Sequence, residues 1–319
     1  MKLCPVCRAD AAGPAVERHG RFTLHWCRAC DVQFSDPMEE AGQAFYETFW
    51  HYSGPECRYT SPKTLNWDQR CFLRDRPKAG GRLLDVGCGT GSFLAAAQQR
   101  GYQVSGLDFS RPQLEIARQR FGLADLHAES FNDYAQRTPP GLLDVITAFQ
   151  VLEHVADPLA FLASARQLLA PEGVVTIGVP NWRVWGIFRE PLDCPPNHLT
   201  RWSRASLRAG LERQGFAVVT IREHRSAYGW MLRHLRLGLL KRAMSRQVSS
   251  ISGDSACASA ARLLAEDETY ASIFTRRAVL ALSIAKVRTL MAADLPLRGT
   301  FAALRIPGVA LYALARARE

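Results

Sequence analysis

A chain of 319 residues with 47% hydrophobic and 22% charged residues has the composition of an ordinary folded protein with room for a large core, which excludes a disordered polymer and a disulfide-stapled miniature. Its formal net charge is +10, most of the excess lying between residues 222 and 305, and this reads either as an arginine-rich surface or as attraction to an anionic substrate, lipid surface or nucleic acid. The nine cysteines are odd in number, the N-terminus lacks the apolar core of a signal peptide, and no uncharged apolar run reaches the roughly 18–20 residues of a membrane-spanning helix, so the expected location is a reducing cytoplasm.

In chain order, residues 1–50 carry the spacing Cys4-x2-Cys7-x19-Cys27-x2-Cys30 and an aromatic end, "FYETFWHY". Each C-x2-C supplies two thiolates from one tight turn, and two such turns close a tetrahedron. The pattern predicts a zinc ribbon with a structural Zn2+ that has no open coordination position. Residues 51–80 read as a linker and a leading helix. Residues 81–226 alternate strand-like and helix-like segments. "GRLLDVGCG" is a buried strand, "SFLAAAQQRG" a helix closed by Gly101, and "YQVSGLDFS" a second strand. "RPQLEIARQRFG" is a helix with Ser110 as its cap, Pro112 in its first turn and Gly122 at its end. "LADLHAES", "LLDVITAFQ" and "GVVTIGVP" are three more strands, with "ADPLAFLASARQLLAPEG" as the helix before the last of them. "SRASLRAGLERQGF" and "AVVTIREHR" add a helix and a sixth strand. Such alternation predicts an α/β fold with a parallel sheet covered on both faces. Residues 227–305 read as a basic helical insertion, and 306–319 hold a final strand, read as a closing edge.

The turn after the first of these core strands carries the chemistry. Gly87, Gly89 and Gly91 let the backbone bend sharply and approach a ligand. The third glycine of a dinucleotide fingerprint is replaced by Ser92, which argues against NAD or FAD. Asp108 ends the second core strand, where an acid can accept hydrogen bonds from both ribose hydroxyls. Asp85, close to the turn, would attract an ammonium or sulfonium and repel a pyrophosphate. The turn therefore suits a ligand with a ribose and a positive charge.

"LLDVGCGTGSFL", "VSGLDFS" and "DVITAFQVLEHVADP" together resemble the class I S-adenosylmethionine-dependent methyltransferases, in the branch that includes the ubiquinone-biosynthesis O-methyltransferases. The resemblance covers roughly residues 75–226. It implies a Rossmann-like seven-stranded methyltransferase sheet with an antiparallel final strand. It also implies that Asp85, Gly87, Gly89 and Gly91 surround the methionine part, that Asp108 holds the ribose, that Phe109 and Glu129–Ser130–Phe131 flank adenine, and that Gln150 sits beside the ligand. "CRACDVQFSDP" followed by "FYETFWHY" is similar to the N-terminal zinc domain of sugar C-methyltransferases, where that domain packs over the substrate cleft and lends an aromatic hydroxyl. Tyr52, or second Tyr46, would match.

Methyl transfer needs alignment and a base for the acceptor, and histidine titrates near neutrality. His154 follows the fourth core strand and His198 the fifth, both on the ligand side of the sheet. Glu153 could orient a histidine, although Glu153 and His154 could equally cap the helix beginning near Asp157. The ubiquinone O-methyltransferases carry an additional acid upstream of "EHV" and are linked to a divalent metal. Here that position is Gln150, an amide, so no divalent ion is expected there. The "Glu-His-Leu" of the sugar C-methyltransferases reads Asn197-His198-Leu199, which loses an acidic partner. The expectation is methylation of a small-molecule hydroxyl. The alternatives are sugar C-methylation, RNA methylation, or a lipid-linked acceptor reached by docking 228–305 on an anionic membrane. RNA is disfavoured because residues 1–50 lack a basic-aromatic stripe and the fourth strand leads into no proline-containing motif. No oligomeric state is implied.

Overall fold

The computed structural model describes residues 3–10, 15–41, 65–75, 77, 80–185, 194–224 and 310–318. Tyr46, Tyr52 and the basic insertion 227–305 lie outside the described residues. Near the N-terminus, strands β1 (Ala15–His19), β2 (Phe22–Cys27) and β3 (Val32–Asp36) form an antiparallel sheet. The β1–β2 turn is two residues long and places Gly20 at φ 54°. Phe22, Leu24 and Cys27 of β2 and Val32 and Phe34 of β3 are buried, and Cys27, Val32 and Phe34 share one apolar core with residues of the larger sheet.

The larger sheet grows from runs that are apolar on both faces. They alternate with helices in the order α1 (Trp67–Asp75), β4 (Gly81–Val86), α2 (Ser92–Gln98), β5 (Tyr102–Leu107), α3 (Arg111–Phe121), β6 (Leu126–His127), α4 (Phe131–Arg137), β7 (Leu143–Phe149), α5 (Pro158–Leu168), β8 (Leu169–Pro180), α6 (Trp182–Trp185), β9 (Thr200–Arg201), α7 (Arg204–Arg213), β10 (Phe216–Glu223) and β11 (Ala310–Ala317). The seven strands lie in the order β10-β11-β8-β7-β4-β5-β6. Pairing is parallel from β8 to β6, and β11 is antiparallel to both its neighbours. This is the Rossmann-like seven-stranded sheet that the alternation and the resemblance imply.

The final strand is not an edge. β11 lies between β8 and β10, and Leu311, Tyr312, Ala313 and Ala315 are fully buried. An edge position would leave one row of backbone groups and half of this apolar surface in water. β9 does not belong to the large sheet: it pairs with β3 and completes a four-stranded sheet with the N-terminal hairpin. The helix expected over "ADPLAFLASARQLLAPEG" ends at Leu168, and β8 takes over at Leu169. Ser110 occupies the N-cap of α3, but its hydroxyl makes no capping bond. Pro112 in the first turn and Gly122, at φ 66°, bound that helix as the sequence reads. No helix among the described residues is long and apolar enough to cross a membrane.

Candidate active site

The strand order puts the loops after β4, β5, β7 and β8 side by side at the carboxyl ends of the strands, and most of the site residues sit on or next to them; Asp68 comes from α1 and Glu129–Phe131 follow β6. In the loop after β4, Gly87, Gly89 and Gly91 have φ values of 73°, 55° and 75°. The space beside two of them is closed by the protein itself. A Cβ on Gly87 would lie 2.6 Å from Val151 Cγ2, and one on Gly91 2.8 Å from Ala117 Cβ. Glycine is thus required for packing, at Gly91 against α3 and at Gly87 against Val151. Gly91→Ala is expected to cost about 2–3 kcal/mol through left-handed strain and the clash, lowering the thermal midpoint by about 5–10 °C. Scanning calorimetry checks this, and an unchanged midpoint would count against the closed-space argument.

Asp108 organises the same turn. Its Oδ2 accepts from Gly89 N at 2.8 Å and its Oδ1 from Ser110 N at 2.8 Å. Each carboxylate oxygen retains a second acceptor site. Burial raises the Asp108 pKa above the usual carboxylate range. Asp85 is buried and accepts from Thr147 Oγ1 at 2.6 Å. Its pKa is pushed up to about 8, first by burial and then by the neighbouring charges of Asp108 and Asp68. Asp68, on α1, is a third carboxyl with a raised pKa, and like Asp85 it is buried. Its Oδ2 accepts from Gln150 Nε2 at 3.1 Å. A Cβ at Gly178 of β8 would lie 2.2 Å from that oxygen, so the strand has glycine where the acid enters. The charges of Asp108 and Asp68 thus add to burial in disfavouring ionisation of Asp85, and a cation beside it would reverse this. Asp68 was not singled out from the sequence. Its signal was an acid sharing the buried face of α1 with Cys71 and Phe72, at i+3 and i+4.

The residues expected around adenine divide. Phe109 is partly exposed directly after Asp108. Glu129 is held by Arg137, which lowers its pKa. Ser130 is occupied as the N-cap of α4, accepting from Asp133 N at 3.1 Å. Phe131 turns into the core, its ring 4.5 Å from that of Phe161. Phe131 thus packs in the core, and Ser130 caps α4. Gln150, at φ 59°, opens the loop that carries Glu153 and His154.

The two histidines meet. β7 and β8 are parallel neighbours, so their following loops run together: Leu199 N and Thr200 N both donate to Glu153 O, at 2.8 and 3.1 Å. The His154 and His198 ring centroids are 4.8 Å apart, nearly perpendicular. His154 Nδ1 lies 2.6 Å from Asn197 O, which assigns the proton to Nδ1. Burial, together with His198, depresses the His154 pKa to about 3. A histidine held this low is neutral at pH 7 and a weak base. Glu153 is 1% exposed, with Oε1 3.9 Å from His154 Nε2. Neither residue caps the next helix, because Asp157 does so itself, accepting from Leu159 N and Ala160 N.

Cys4, Cys7, Cys27 and Cys30 converge. Cys4 Sγ is 3.6 Å from Cys30 Sγ, and Cys7 Sγ 3.5 Å from Cys27 Sγ. A tetrahedral zinc with bonds of about 2.3 Å sets its sulfurs about 3.8 Å apart. The two turns are alike: Cys4 O accepts from Arg8 N and Cys27 O from Asp31 N, with Arg8 and Asp31 both left-handed. Among the described residues, a second group with donor atoms all within 4.8 Å of one another is Glu153, His154 and His198.

Comparison with known proteins agrees with this geometry. Residues 39–221 match a family model described as a methyltransferase domain. The ubiquinone biosynthesis O-methyltransferase of Pseudomonas aeruginosa is 36% identical over 129 residues, 38% of this chain and 52% of that protein. Its counterpart in Thiobacillus denitrificans is 37% identical over 126 residues, with the same coverage. The chain thus spans about half the length of these curated relatives. A SAM-dependent methyltransferase from Archaeoglobus fulgidus superposes with a TM-score of 0.50 at 16% identity, over 84% of this chain and 99% of that one; this is a likeness of fold.

Proposed function

The chain belongs to the methyltransferase domain family, and on that premise we propose that it transfers the methyl group of S-adenosylmethionine to a hydroxyl oxygen of a small molecule, with His198 as the base. The carrying observation is a set of three carboxyls: Asp108, which accepts from Gly89 N of the glycine turn, and the buried Asp85 and Asp68, with the charges of Asp108 and Asp68 both acting on Asp85. Asp85 and Asp68 supply negative charge for the ammonium and sulfonium. Asp108 takes the ribose hydroxyls on the acceptor sites its backbone bonds leave open, with Phe109 and Glu129 beside adenine and Gln150 along the ligand. In the reaction the acceptor oxygen bonds to the methyl carbon as the carbon–sulfur bond breaks, and that electron pair remains on a neutral thioether sulfur. The hydroxyl proton passes to His198. Positive charge thus leaves the sulfur and reappears as an imidazolium close to Glu153, whose carboxylate favours it. The relatives' naming as O-methyltransferases supports oxygen as the acceptor atom. Residues 1–50 are proposed as a zinc-ribbon domain, 81–226 with 306–319 as the methyltransferase core, and 227–305 as a cap over the acceptor.

The test follows methyl-labelled S-adenosylmethionine incubated with the protein and a metabolite extract. Label is expected in the small-molecule fraction and absent from it with His198→Ala. Label in RNA or in extracted lipid would overturn the acceptor class. The ribbon makes a separate expectation. Elemental analysis should find about one zinc per chain, lost in Cys27→Ser and kept in His198→Ala. A second equivalent that disappears with His198→Ala would make Glu153, His154 and His198 a metal site.

A further inference from the structure

We infer that the N-terminal ribbon is a positioning device for the proposed base: Glu17 and Arg201 anchor the 194–201 segment from both ends, with His198 held between them. The inference rests on the proposed role of His198. The methyltransferase core lends a strand to the ribbon, pairing Arg201 with Gln33 and Thr200 with Phe34, and Ser35 N donates to Leu199 O at 2.8 Å. At this end Arg201 meets Glu17 of β1 at 3.0 Å, both side chains 5% exposed, and Arg201 also donates to Gln33 Oε1 at 3.3 Å. At the other end Glu17 lies 2.8 Å from His19 Nε2, and His19 is hydrogen-bonded to Cys194. Cys194 O in turn accepts from Asn197 N and His198 N, at 3.0 and 3.1 Å.

Glu17 is therefore the hub of a buried chain, Arg201–Glu17–His19–Cys194, that spans the loop. Two partners with positive character face one carboxylate in a largely buried site. Removing the charge on Glu17 leaves a buried guanidinium without its counter-ion and weakens both anchors at once. The same loop is tied to the other half of the site through Leu199 N and Thr200 N on Glu153 O. Slack in the anchors thus appears as lost registration of His198 with Glu153, while the glycine turn and the three carboxyls, on other elements, are untouched. Cys27 ends β2 and Val32 begins β3, so the cysteine knuckle sets the register of the strand that receives β9.

The experiment compares the full-length zinc-loaded protein with Glu17→Gln, with Glu17→Asp, with the double amide Glu17→Gln/Arg201→Gln, and with Glu212→Gln, which breaks an exposed ion pair, as a control. The readouts are amide hydrogen exchange at Leu199 and Thr200, the ring resonances of His198 at fixed pH, and calorimetric binding of S-adenosylhomocysteine. In Glu17→Gln, exchange at the two amides is expected to quicken about tenfold or more. The His198 ring signals should shift or broaden, and the Kd for S-adenosylhomocysteine should stay within about twofold. Glu17→Asp should restore most of the protection, and Glu212→Gln should match wild type. If Glu17→Gln does not fold, the double amide, which removes the buried guanidinium together with its counter-ion, carries the comparison. Unchanged exchange and unchanged ring signals would overturn the inference. So would loss of S-adenosylhomocysteine binding in parallel, because the ribbon would then be supporting the whole core. Failure of the wild type to bind cofactor would sink the proposed function instead, and the exchange data would still report on the anchors.

Discussion

His198→Ala is expected to lower the turnover of methyl transfer by about 10²–10⁴-fold, the ordinary contribution of a positioned general base, while the affinity for S-adenosylmethionine changes by no more than about twofold. The two effects separate because the histidine and the cofactor carboxyls sit on different loops. His198 lies between Cys194 and Arg201, while Asp85 lies near the end of β4 and Asp108 directly after β5. His154→Gln is the internal comparison. His154 already has one ring nitrogen on Asn197 O and its pKa near 3, so it acts as packing and as a neutral neighbour. A glutamine amide can keep the bond to the carbonyl, and the loss should be about tenfold or less. Steady-state kinetics on the acceptor found by the labelling experiment checks both. Equal losses in the two variants would return the base assignment to the pair, and full activity in His198→Ala would remove His198 from the chemistry.

Asp108→Ala should weaken S-adenosylmethionine binding by about 100-fold or more. Two charge-assisted bonds to ribose are worth about 1.5–3 kcal/mol each, and the alanine also leaves Gly89 N and Ser110 N without the carboxylate they donate to. Asp108→Asn should do nearly as badly. Both carboxylate oxygens accept from backbone N–H groups, and an amide presents a donor to one of them, so the isosteric change cannot preserve the turn. Calorimetric titration decides it. Affinity within a few-fold of wild type in either variant would separate Asp108 from the sugar.

The sequence was legible where local chemistry carries the whole signal. The cysteine spacing contains its own geometry, since two turns of two residues need no distant information to converge. The glycine turn and the acid after the next strand are likewise neighbours by construction of a parallel βαβ unit. The histidines were legible singly but not as a pair: their contact depends on β7 and β8 being adjacent, which the strand order decides. Asp68 was illegible as a site residue because nothing local says that α1 inserts its buried face beside Gly178. β9 is two residues long, too short for any alternation to register, and its partner is about 170 residues away. Phe131 and Ser130 followed the family pattern by position, while their side chains answer to the core and to the start of α4. The interior position of β11 had a readable trace. Its run Leu311–Ala315 is apolar at every position, which fits a strand covered on both faces better than an edge.

The most direct test of the whole account is calorimetry of S-adenosylmethionine and S-adenosylhomocysteine on the zinc-loaded protein between pH 6 and 9. Asp85 is largely protonated below about 8 in the free protein and must ionise to receive a cation. S-adenosylmethionine affinity is therefore expected to rise with pH up to that value, by at most about tenfold per unit, and then to level off, with proton release on binding near pH 7. S-adenosylhomocysteine, which lacks the sulfonium, should show a shallower rise. Well-folded protein that takes up neither ligand, or binds both with affinity independent of pH, would contradict the account.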